Sequence, residues 1–598
     1  MRHFWFAVAL LLALGETVMA VPPPPPLQFT VVSTKILYDV GEPVSGAATL
    51  TNNTKTPVQV TVRAWLEWQL DEKTKPQETK LTVEPGKTAT ANFTWKKLRE
   101  QFGYALKAEA LRDGKVVAAD ENYFQISDNY WKVSLISALG IVQPSEGYRT
   151  EWITGKLAEW RKDYYNGYEK FFWAPDDVLK MTTSPEAKWY SAVAHYPEST
   201  VGLQAFIDAG HRLGMKAITY ERYSGGGSGG LEIARRHPEW LQQTDGELAI
   251  DRQARQLDEW DQEKPANYRG WVEIRWNLSE SSVMDAAAKE LLDSTIQYHW
   301  DGARWDGTYH EPLAWNRTDG TQGAQLSVDQ AEAKNARNFH RYKEYVNPRF
   351  PHFIYGVNSG GVDSLMAAMP RETMEWCRGG GLIMNEFIRN AYQPQASLHH
   401  WVDYAPFLVT EVERTKRLGG YYGPILGNGI GATPDDMYQC IFSNAAGAHP
   451  YYHHLWGAFM TRYSSYCWDP ALTHIPGPET LVSMPDTVWW RHWIFTRDLG
   501  NGKRQLIVHL INPPLHPEVG ESRKPEDLPA PVKNLTVHIF PDQFGAWQPV
   551  RATQLSPTPL LKETLPIVNS EGLSTVTVPA VKLWTILVID LAPVKGGR

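Results

Sequence analysis

Between Trp131 and about Tyr452, short apolar segments alternate with stretches of helical pattern, and this order constrains the fold more than any other feature of the chain. A helix that follows each strand returns the chain to the same edge, so the strands form a parallel sheet. Eight such strands favour a (β/α)8 TIM barrel, although the pattern alone leaves a doubly wound sheet open. The predicted strands begin at Lys132, Lys170, Met215, Gly302, His352, Gly381, Gly420 and Ala448.

All-β segments flank this region, so we predict a multidomain protein. The runs Val58–Trp68 and Ala89–Trp95 alternate apolar and polar residues, which predicts an N-terminal Ig-like β-sandwich over residues 28–127. The central barrel is assigned to residues 128–488. Apolar runs such as Arg504–Asn512 then predict a C-terminal antiparallel β-domain over residues 489–598.

The first twenty residues have the pattern of a targeting segment. A short polar start precedes the apolar run Phe4–Leu14, and Ala20 ends a stretch of small residues typical of a cleavage site. We therefore expect residues 1–20 to be a signal peptide and residues 21–27 a Pro-rich linker. The mature protein is then secreted or periplasmic, without stable membrane insertion, whereas an uncleaved anchor is the alternative.

Composition excludes several classes of protein. With 42% hydrophobic residues and 25 Trp, the chain has enough apolar surface to fold, which excludes a disordered protein. A net charge of -8 without a basic stretch gives no support to a nucleic-acid partner. Three cysteines cannot form a disulfide scaffold, and their pairing and the oligomeric state stay open.

Function in a TIM barrel is sought at the carboxyl ends of its strands. Several predicted strands end in or near an ionisable or amide side chain, and tryptophans lie close to these ends. Carboxylates that converge beside aromatic residues are typical of a glycosidase cleft. The candidates are Asp177, Glu221, Asp306, Asn358, Glu386, His449, Trp173 and Trp305.

The most informative string is "WDGARWDG", Trp300–Gly307. Asp301 falls near the start of the fourth strand and Asp306 at its end. Arg304 precedes Asp306 by two residues, so both side chains lie on one face of the strand. A neighbouring guanidinium holds a carboxylate ionised, as a nucleophile requires. An ordinary ion pair at a strand end is the alternative interpretation.

This string resembles the nucleophile strand of TIM-barrel glycoside hydrolases of the α-glycosidase superfamily, and the whole layout is most similar to glycoside hydrolase family 66. That family includes dextranases and cycloisomaltooligosaccharide glucanotransferases, and its D-G-x-x-x-D motif matches Asp301 to Asp306. The resemblance implies that Asp306 is the nucleophile. It also implies a later Glu as acid/base, which is Glu386 in "LIMNEF", with Glu375, Glu411 or Glu413 as alternatives.

We therefore expect a secreted retaining glycoside hydrolase that acts on a poly- or oligosaccharide of the α-glucan type, by hydrolysis or transglycosylation. The alternatives are a glycosidase for β-linked glycans and a non-catalytic carbohydrate-binding scaffold on a degenerate barrel. No cofactor and no metal are expected, because the histidines near His449 lack a metal-binding spacing. The expected substrate-binding residues are Arg304, Asp301, Glu221, Asp177, Asn358, His449, Trp305 and Trp173.

Overall fold

The computed structural model describes most of the chain between residues 25 and 594. The residues that it leaves undescribed in this span are 140–147, 175–178, 191–196, 223, 227, 242–271, 278–279, 307–324, 359–370, 387–397, 426–432, 453, 501, 521–523 and 571. The described part contains several β-sheets, and it forms an N-terminal β-unit, a central parallel sheet with helices, and a C-terminal β-unit.

The N-terminal unit consists of two sheets that enclose one apolar core. One sheet has the order β1-β3-β7, and the other the order β2-β9-β8-β4-β5, with β6 also paired to β4. Buried residues alternate with more exposed ones along β3, as expected for a strand with one buried face. Phe29 and Leu50 from the first sheet meet Val60 and Phe124 from the second. The strands are β1 Leu27–Ser33, β2 Leu37–Asp39, β3 Val44–Asn52, β4 Val58–Trp68, β5 Glu72–Lys73, β6 Gln77–Val83, β7 Thr88–Trp95, β8 Phe102–Arg112 and β9 Lys115–Ser127.

The central region contains a seven-stranded parallel sheet of order β10-β11-β14-β17-β18-β19-β20. Two short antiparallel ribbons, β12-β13 and β15-β16, lie outside it. The bounds are β10 Ile136–Leu139, β11 Gly167–Lys170, β12 Lys188–Tyr190, β13 Pro197–Ser199, β14 Lys216–Arg222, β15 Ser224–Gly226, β16 Val272–Arg275, β17 Gly302–Asp306, β18 Ile354–Asn358, β19 Leu382–Asn385 and β20 Tyr421–Pro424.

The structure confirms six of the eight predicted strands in this sheet and corrects the other two. The predicted second strand begins at Lys170, where β11 in fact ends. The apolar run that follows leaves the sheet because Phe172 has a φ of 40°, which is incompatible with an extended strand. The predicted eighth strand is reduced, within the described residues, to one parallel bridge between Ile425 and Tyr451.

Helices connect the strands of the parallel sheet. The helix before β17 is α4, Ser281–Tyr298, and its residues Met284, Ala287 and Leu291 are buried. It begins after Glu280 without a side-chain cap. The helices are α1 Thr150–Lys162, α2 Thr200–Arg212, α3 Ser228–Arg236, α4 Ser281–Tyr298, α5 Val328–Val346, α6 Arg371–Cys377, α7 Trp401–Arg417, α8 Pro434–Ala446, α9 Gly457–Tyr463 and α10 Ser465–Trp468.

The C-terminal unit again consists of two sheets around a core, with the orders β21-β23-β24-β30-β26-β27 and β22-β25-β29-β28. Leu506 and Leu587 of the larger sheet pack with Val537 and Val576 of the smaller one. The strands are β21 Thr473–His474, β22 Val482–Ser483, β23 Ile494–Gly500, β24 Lys503–Ile511, β25 Val532–Ile539, β26 Trp547–Pro557, β27 Leu560–Leu565, β28 Ile567–Ser570, β29 Leu573–Val581 and β30 Trp584–Pro593.

The three units meet at Glu67 on β4. Its carboxylate lies 2.8 Å from Nζ of Lys562 in the C-terminal unit and 3.3 Å from the guanidinium of Arg462 on α9. Lys107 of its own unit lies 3.4 Å away. Burial raises the pKa of Glu67, but the hydrogen bond from Lys562 and the other two cations outweigh it, so that the pKa is lowered.

Two features of the described chain bear on the sequence predictions. None of the described helices is both long and apolar enough to cross a membrane. Cys377, Cys440 and Cys467 all lie in the described part, where each is buried and has a free thiol.

Candidate active site

Asp306 ends β17 on the inner face of the parallel sheet. Side chains alternate along a strand, so Arg304 and Asp306 share this face while Trp305 lies on the other. The register places Tyr220 of β14 beside Arg304, and Asn358 ends the next strand, β18. The side chain of Asp306 is 28% exposed, which leaves it accessible at the carboxyl end of the sheet.

Three strands contribute hydrogen bonds to the Asp306 carboxylate. Its Oδ1 accepts from Nη1 of Arg304 at 2.9 Å and from Nδ2 of Asn358 at 2.8 Å. Its Oδ2 accepts from the hydroxyl of Tyr220 at 2.5 Å. Hydrogen bonds to the charged form favour that form, so this environment holds the carboxylate ionised and fixes its orientation.

Glu386 follows β19 directly and meets Asp306 through Asn358. The same Nδ2 that donates to Asp306 also donates to Oε2 of Glu386 at 2.7 Å, one hydrogen to each carboxyl group. Contacts of 2.8 and 2.7 Å on one nitrogen limit the separation of the two oxygens to their sum, 5.5 Å. Glu386 is exposed, so both carboxyl groups are accessible to a ligand.

A buried carboxylate that the sequence interpretation missed lies behind this pair. Glu169, in β11, is fully buried and accepts from Nε of Arg304 at 2.8 Å. The hydroxyls of Tyr451 and Tyr452 donate to its other oxygen at 3.1 and 2.5 Å. The predicted second strand begins at Lys170, one residue after Glu169, so Glu169 fell outside the predicted strands.

Aromatic rings surround the Arg304 guanidinium. Its Cζ lies 4.8 Å from the ring centroid of Tyr220 and 5.5 Å from that of Phe171. The Phe171 and Tyr220 rings are themselves 4.7 Å apart. Cation–π contact and burial stabilise the guanidinium in this position, which in turn orients Asp306.

Trp305 and Trp173 are not placed to bind substrate, and that prediction is wrong for both. Each is fully buried. Trp305 packs between the sheet and the helices, against Tyr342 and Trp376, because odd-numbered positions of β17 face outward. The indole of Trp173 packs on Trp300 in the core.

Glu221 is also misassigned. It is paired with Trp305 in the strand register and faces outward with it, toward α5, where its Oε2 accepts from Tyr342 at 3.1 Å. Burial raises its pKa to about 8, because nothing in the described surroundings supplies a compensating cation. It is therefore a neutral core carboxyl at pH 7 and does not belong to the cleft.

Asp301 lies at the amino end of β17, the wrong end for the site. Its Oδ2 contacts Nε2 of His211 and the backbone N–H of Ala217, each at 2.8 Å, and Lys216 lies 3.4 Å from its other oxygen. Asp301 also lines a separate cavity of about 660 Å³ between the N-terminal unit and the amino edge of the sheet. Its place in the matched motif therefore reflects strand anchoring, and the prediction that it binds substrate is wrong.

His449 likewise does not reach the cleft. It is buried between Trp468 and Tyr421, whose ring centroids lie 4.5 and 5.5 Å away. Burial lowers its pKa to about 3, so the imidazole is neutral. The predicted eighth strand placed it at the barrel mouth, whereas its backbone N–H in fact donates to the carbonyl of Tyr422 within β20.

The other candidates are Asp177 and three glutamates. Asp177 lies outside the described residues. The alternative acids are all on helices: Glu375 on α6 pairs with His340, Glu411 on α7 with Arg414, and Glu413 on α7 with Lys416. Of the predicted site residues, the structure thus brings together Asp306, Arg304, Asn358 and Glu386.

Known proteins are similar to this chain in part of its sequence and in its fold. Residues 33–269 match the family model of glycosyl hydrolase family 66. No curated protein matches the sequence. Among solved structures, the chain is similar to a cycloisomaltooligosaccharide glucanotransferase of Paenibacillus sp., solved in complex with cycloisomaltoheptaose. The identity is 12% and the TM-score 0.68, over 94% of this chain and 100% of that one.

Weaker structural matches are α-amylases. A maltogenic α-amylase from Thermotoga neapolitana has a TM-score of 0.44 at 9% identity and covers 77% of this chain and 99% of its own. An α-amylase from Geobacillus thermoleovorans has a TM-score of 0.43 at 10% identity with the same coverage. The family match over residues 33–269 and the fold shared with the glucanotransferase confirm the resemblance to glycoside hydrolase family 66 and support a glycoside hydrolase or transglycosidase.

Proposed function

We propose that this enzyme is a retaining glycosidase or transglycosidase for poly- or oligosaccharides of the α-glucan type, with Asp306 as nucleophile and Glu386 as acid/base. One observation carries the proposal: the two carboxyl groups share the Nδ2 of Asn358, so their nearest oxygens are at most 5.5 Å apart. Retaining enzymes have carboxyl groups about 5–5.5 Å apart, whereas inverting enzymes need roughly 6.5–9.5 Å to admit a water molecule.

The first step forms a covalent intermediate. A carboxylate oxygen of Asp306 attacks the anomeric carbon, the bond to the leaving oxygen breaks, and Glu386 gives its proton to that oxygen. The hydrogen bonds from Arg304, Asn358 and Tyr220 keep Asp306 ionised and oriented for this attack.

The second step releases the sugar. Glu386, now ionised, takes a proton from water or from a sugar hydroxyl, and the resulting oxygen attacks the anomeric carbon while Asp306 departs. Water gives hydrolysis and a sugar hydroxyl gives transglycosylation. Two displacements at the same carbon leave its configuration unchanged.

The proposed substrate class rests on the family and on the structural relative. The similar Paenibacillus glucanotransferase was solved with cycloisomaltoheptaose, which supports a glucan substrate here. Because the match covers the whole length of that protein, this chain is long enough to contain the same domains. We further propose that the parallel sheet closes as a (β/α)8 barrel, that the N-terminal unit is Ig-like, and that residues 1–20 direct secretion.

A substrate screen with three variants tests the proposal. Wild type, Asp306→Asn, Glu386→Gln and the matched control Glu413→Gln are assayed on α- and β-glucans and on aryl glycosides. We expect wild type and Glu413→Gln to cleave α-glucans, with losses of at least 10³-fold for Asp306→Asn. Activity that survives both site substitutions, or no activity on any glycan, would overturn the assignment, and cleavage of β-glucans alone would overturn the substrate class.

Azide rescue assigns the two roles separately. With Asp306→Gly, azide should restore turnover of an activated aryl glycoside and give a glycosyl azide of inverted configuration, because azide replaces the missing nucleophile. With Glu386→Ala, it should give the azide of retained configuration, because azide then attacks the covalent intermediate. The opposite pattern of products would exchange the two roles.

A further inference from the structure

We propose that Glu169 is a positioning residue that tunes Asp306 through Arg304, by sharing the charge of that guanidinium. The proposal rests on the nucleophile role proposed for Asp306. Glu169 is fully buried and lies behind Arg304, so it has no contact with a substrate. Its effect on the reaction must therefore pass through the guanidinium.

One guanidinium serves two carboxylates. Its Nε donates to Glu169 at 2.8 Å, its Nη1 donates to Asp306 at 2.9 Å, and its Nη2 donates to the hydroxyl of Tyr452 at 2.8 Å. These three directions fix the plane of the guanidinium. Because Glu169 occupies the Nε edge, only one nitrogen is directed at Asp306.

Glu169 is itself held as a carboxylate. Every described partner of its oxygens is a donor: Arg304 on Oε1, and the hydroxyls of Tyr451 and Tyr452 on Oε2. Burial raises the pKa of Glu169 above its usual range, and the charge of Arg304 and the three hydrogen bonds offset this rise in part. The Tyr452 hydroxyl accepts from Nη2 of Arg304 and so directs its own proton at Oε2, while Nε of Arg304 donates to Oε1; these contacts favour the ionised form.

The charge of Glu169 has a defined consequence. A cation within about 4–6 Å lowers the pKa of a carboxyl group by roughly 1–3 units and weakens it as a nucleophile. With Glu169 ionised, Arg304 and Glu169 together carry no net charge. Arg304 therefore still orients Asp306, but it lowers the pKa of that carboxyl group by less than an uncompensated cation would. The described titratable groups that hydrogen-bond within this cluster include Asp306, Arg304, Glu169, Tyr220, Tyr451, Tyr452 and, through Asn358, Glu386, while Tyr130 interacts with Glu169 electrostatically.

The test compares pH profiles of kcat/KM. Glu169→Gln keeps the shape of the side chain but removes its charge, so the pKa of Asp306 should fall. The acidic limb of the kcat/KM profile should therefore move to lower pH by about 1 unit, and the plateau of kcat/KM should fall about tenfold. Tyr452→Phe removes two hydrogen bonds without a change of charge, so it should lower the plateau and leave the limb in place. Near-UV circular dichroism checks that each variant is folded.

Arg304→Gln supplies an independent variant in case Glu169→Gln does not fold. Glu169 then faces Asp306 without the cation between them, so the acidic limb should move upward. An unmoved acidic limb in folded Glu169→Gln or, where that variant does not fold, in Arg304→Gln, with wild type active and Asp306→Asn inactive, would show that Glu169 is only structural. Inactive wild type, or active Asp306→Asn, would instead refute the proposed function itself.

Discussion

The hydroxyl of Tyr220 lies 2.5 Å from Oδ2 of Asp306, across the pairing of β14 with β17. The same ring lies against the guanidinium that holds the other oxygen of this carboxylate. Tyr220 thus combines a hydrogen bond to the proposed nucleophile with a packing contact to its cation. These two roles can be separated by removing the hydroxyl alone.

Tyr220→Phe should lower kcat about 10- to 100-fold while the protein keeps its thermal stability. A hydrogen bond to a charged group contributes about 1.5–3 kcal/mol, and this one stabilises the orientation of Asp306. The measurement is steady-state kinetics on the substrate found in the screen. Tyr168→Phe is the matched control, because that hydroxyl is buried on the outer face of β11 with no described partner. Equal kinetics for the two variants would contradict the role of Tyr220.

Glu221→Gln should stabilise the protein increasingly as pH rises from about 5 to 8. The pKa of Glu221 is raised from 4.5 to about 8 in the folded state by burial. The folded state therefore binds a proton that the unfolded state has lost, so wild type loses stability over this range. Glutamine does not titrate, so the variant does not lose stability in this way as pH rises. Thermal unfolding at pH 5, 6.5 and 8 measures it, and the exposed Glu78→Gln is the control. A constant difference between wild type and Glu221→Gln would contradict the raised pKa.

Glu67→Gln should lower the free energy of unfolding by about 1–3 kcal/mol at pH 7. The pKa of Glu67 is lowered in the folded state, so its contribution is present above the unfolded value near 4.5 and disappears as pH falls through the folded value. Wild type and variant should thus become equal in stability well below pH 4. Glu109→Gln, which breaks an ion pair within the N-terminal unit, is the control. A difference in the free energy of unfolding between wild type and Glu67→Gln that persists at acid pH would show that the effect of Glu67 does not come from its charge.

Trp305→Phe should destabilise the protein by about 1–3 kcal/mol and leave KM unchanged. Its indole fills the space between the sheet and the helices, so the smaller ring leaves a cavity there and removes no contact with substrate. Trp490→Phe makes the same change in the core of the C-terminal unit and is the control. A rise in KM for Trp305→Phe but not for Trp490→Phe would show that Trp305 contacts the substrate.

The alternation of apolar strands and helices was sufficient to locate most of the parallel sheet. It also placed Arg304 and Asp306 on one face, because side chains two residues apart on a strand must share a face. The carboxyl end of β19 likewise placed Glu386 at the same edge. These features depend on local periodicity, which a single sequence contains in full.

Only the tertiary structure decided which face of each strand meets the cleft. Glu221 and Trp305 end or nearly end strands, yet both face the helices, since the inner face is fixed by the register between neighbouring strands. The bridge through Asn358 and the partnership of Glu169 with Arg304 join residues that are far apart in sequence. Such contacts depend on strand order and register, which are properties of the assembled sheet and have no signature in any one segment.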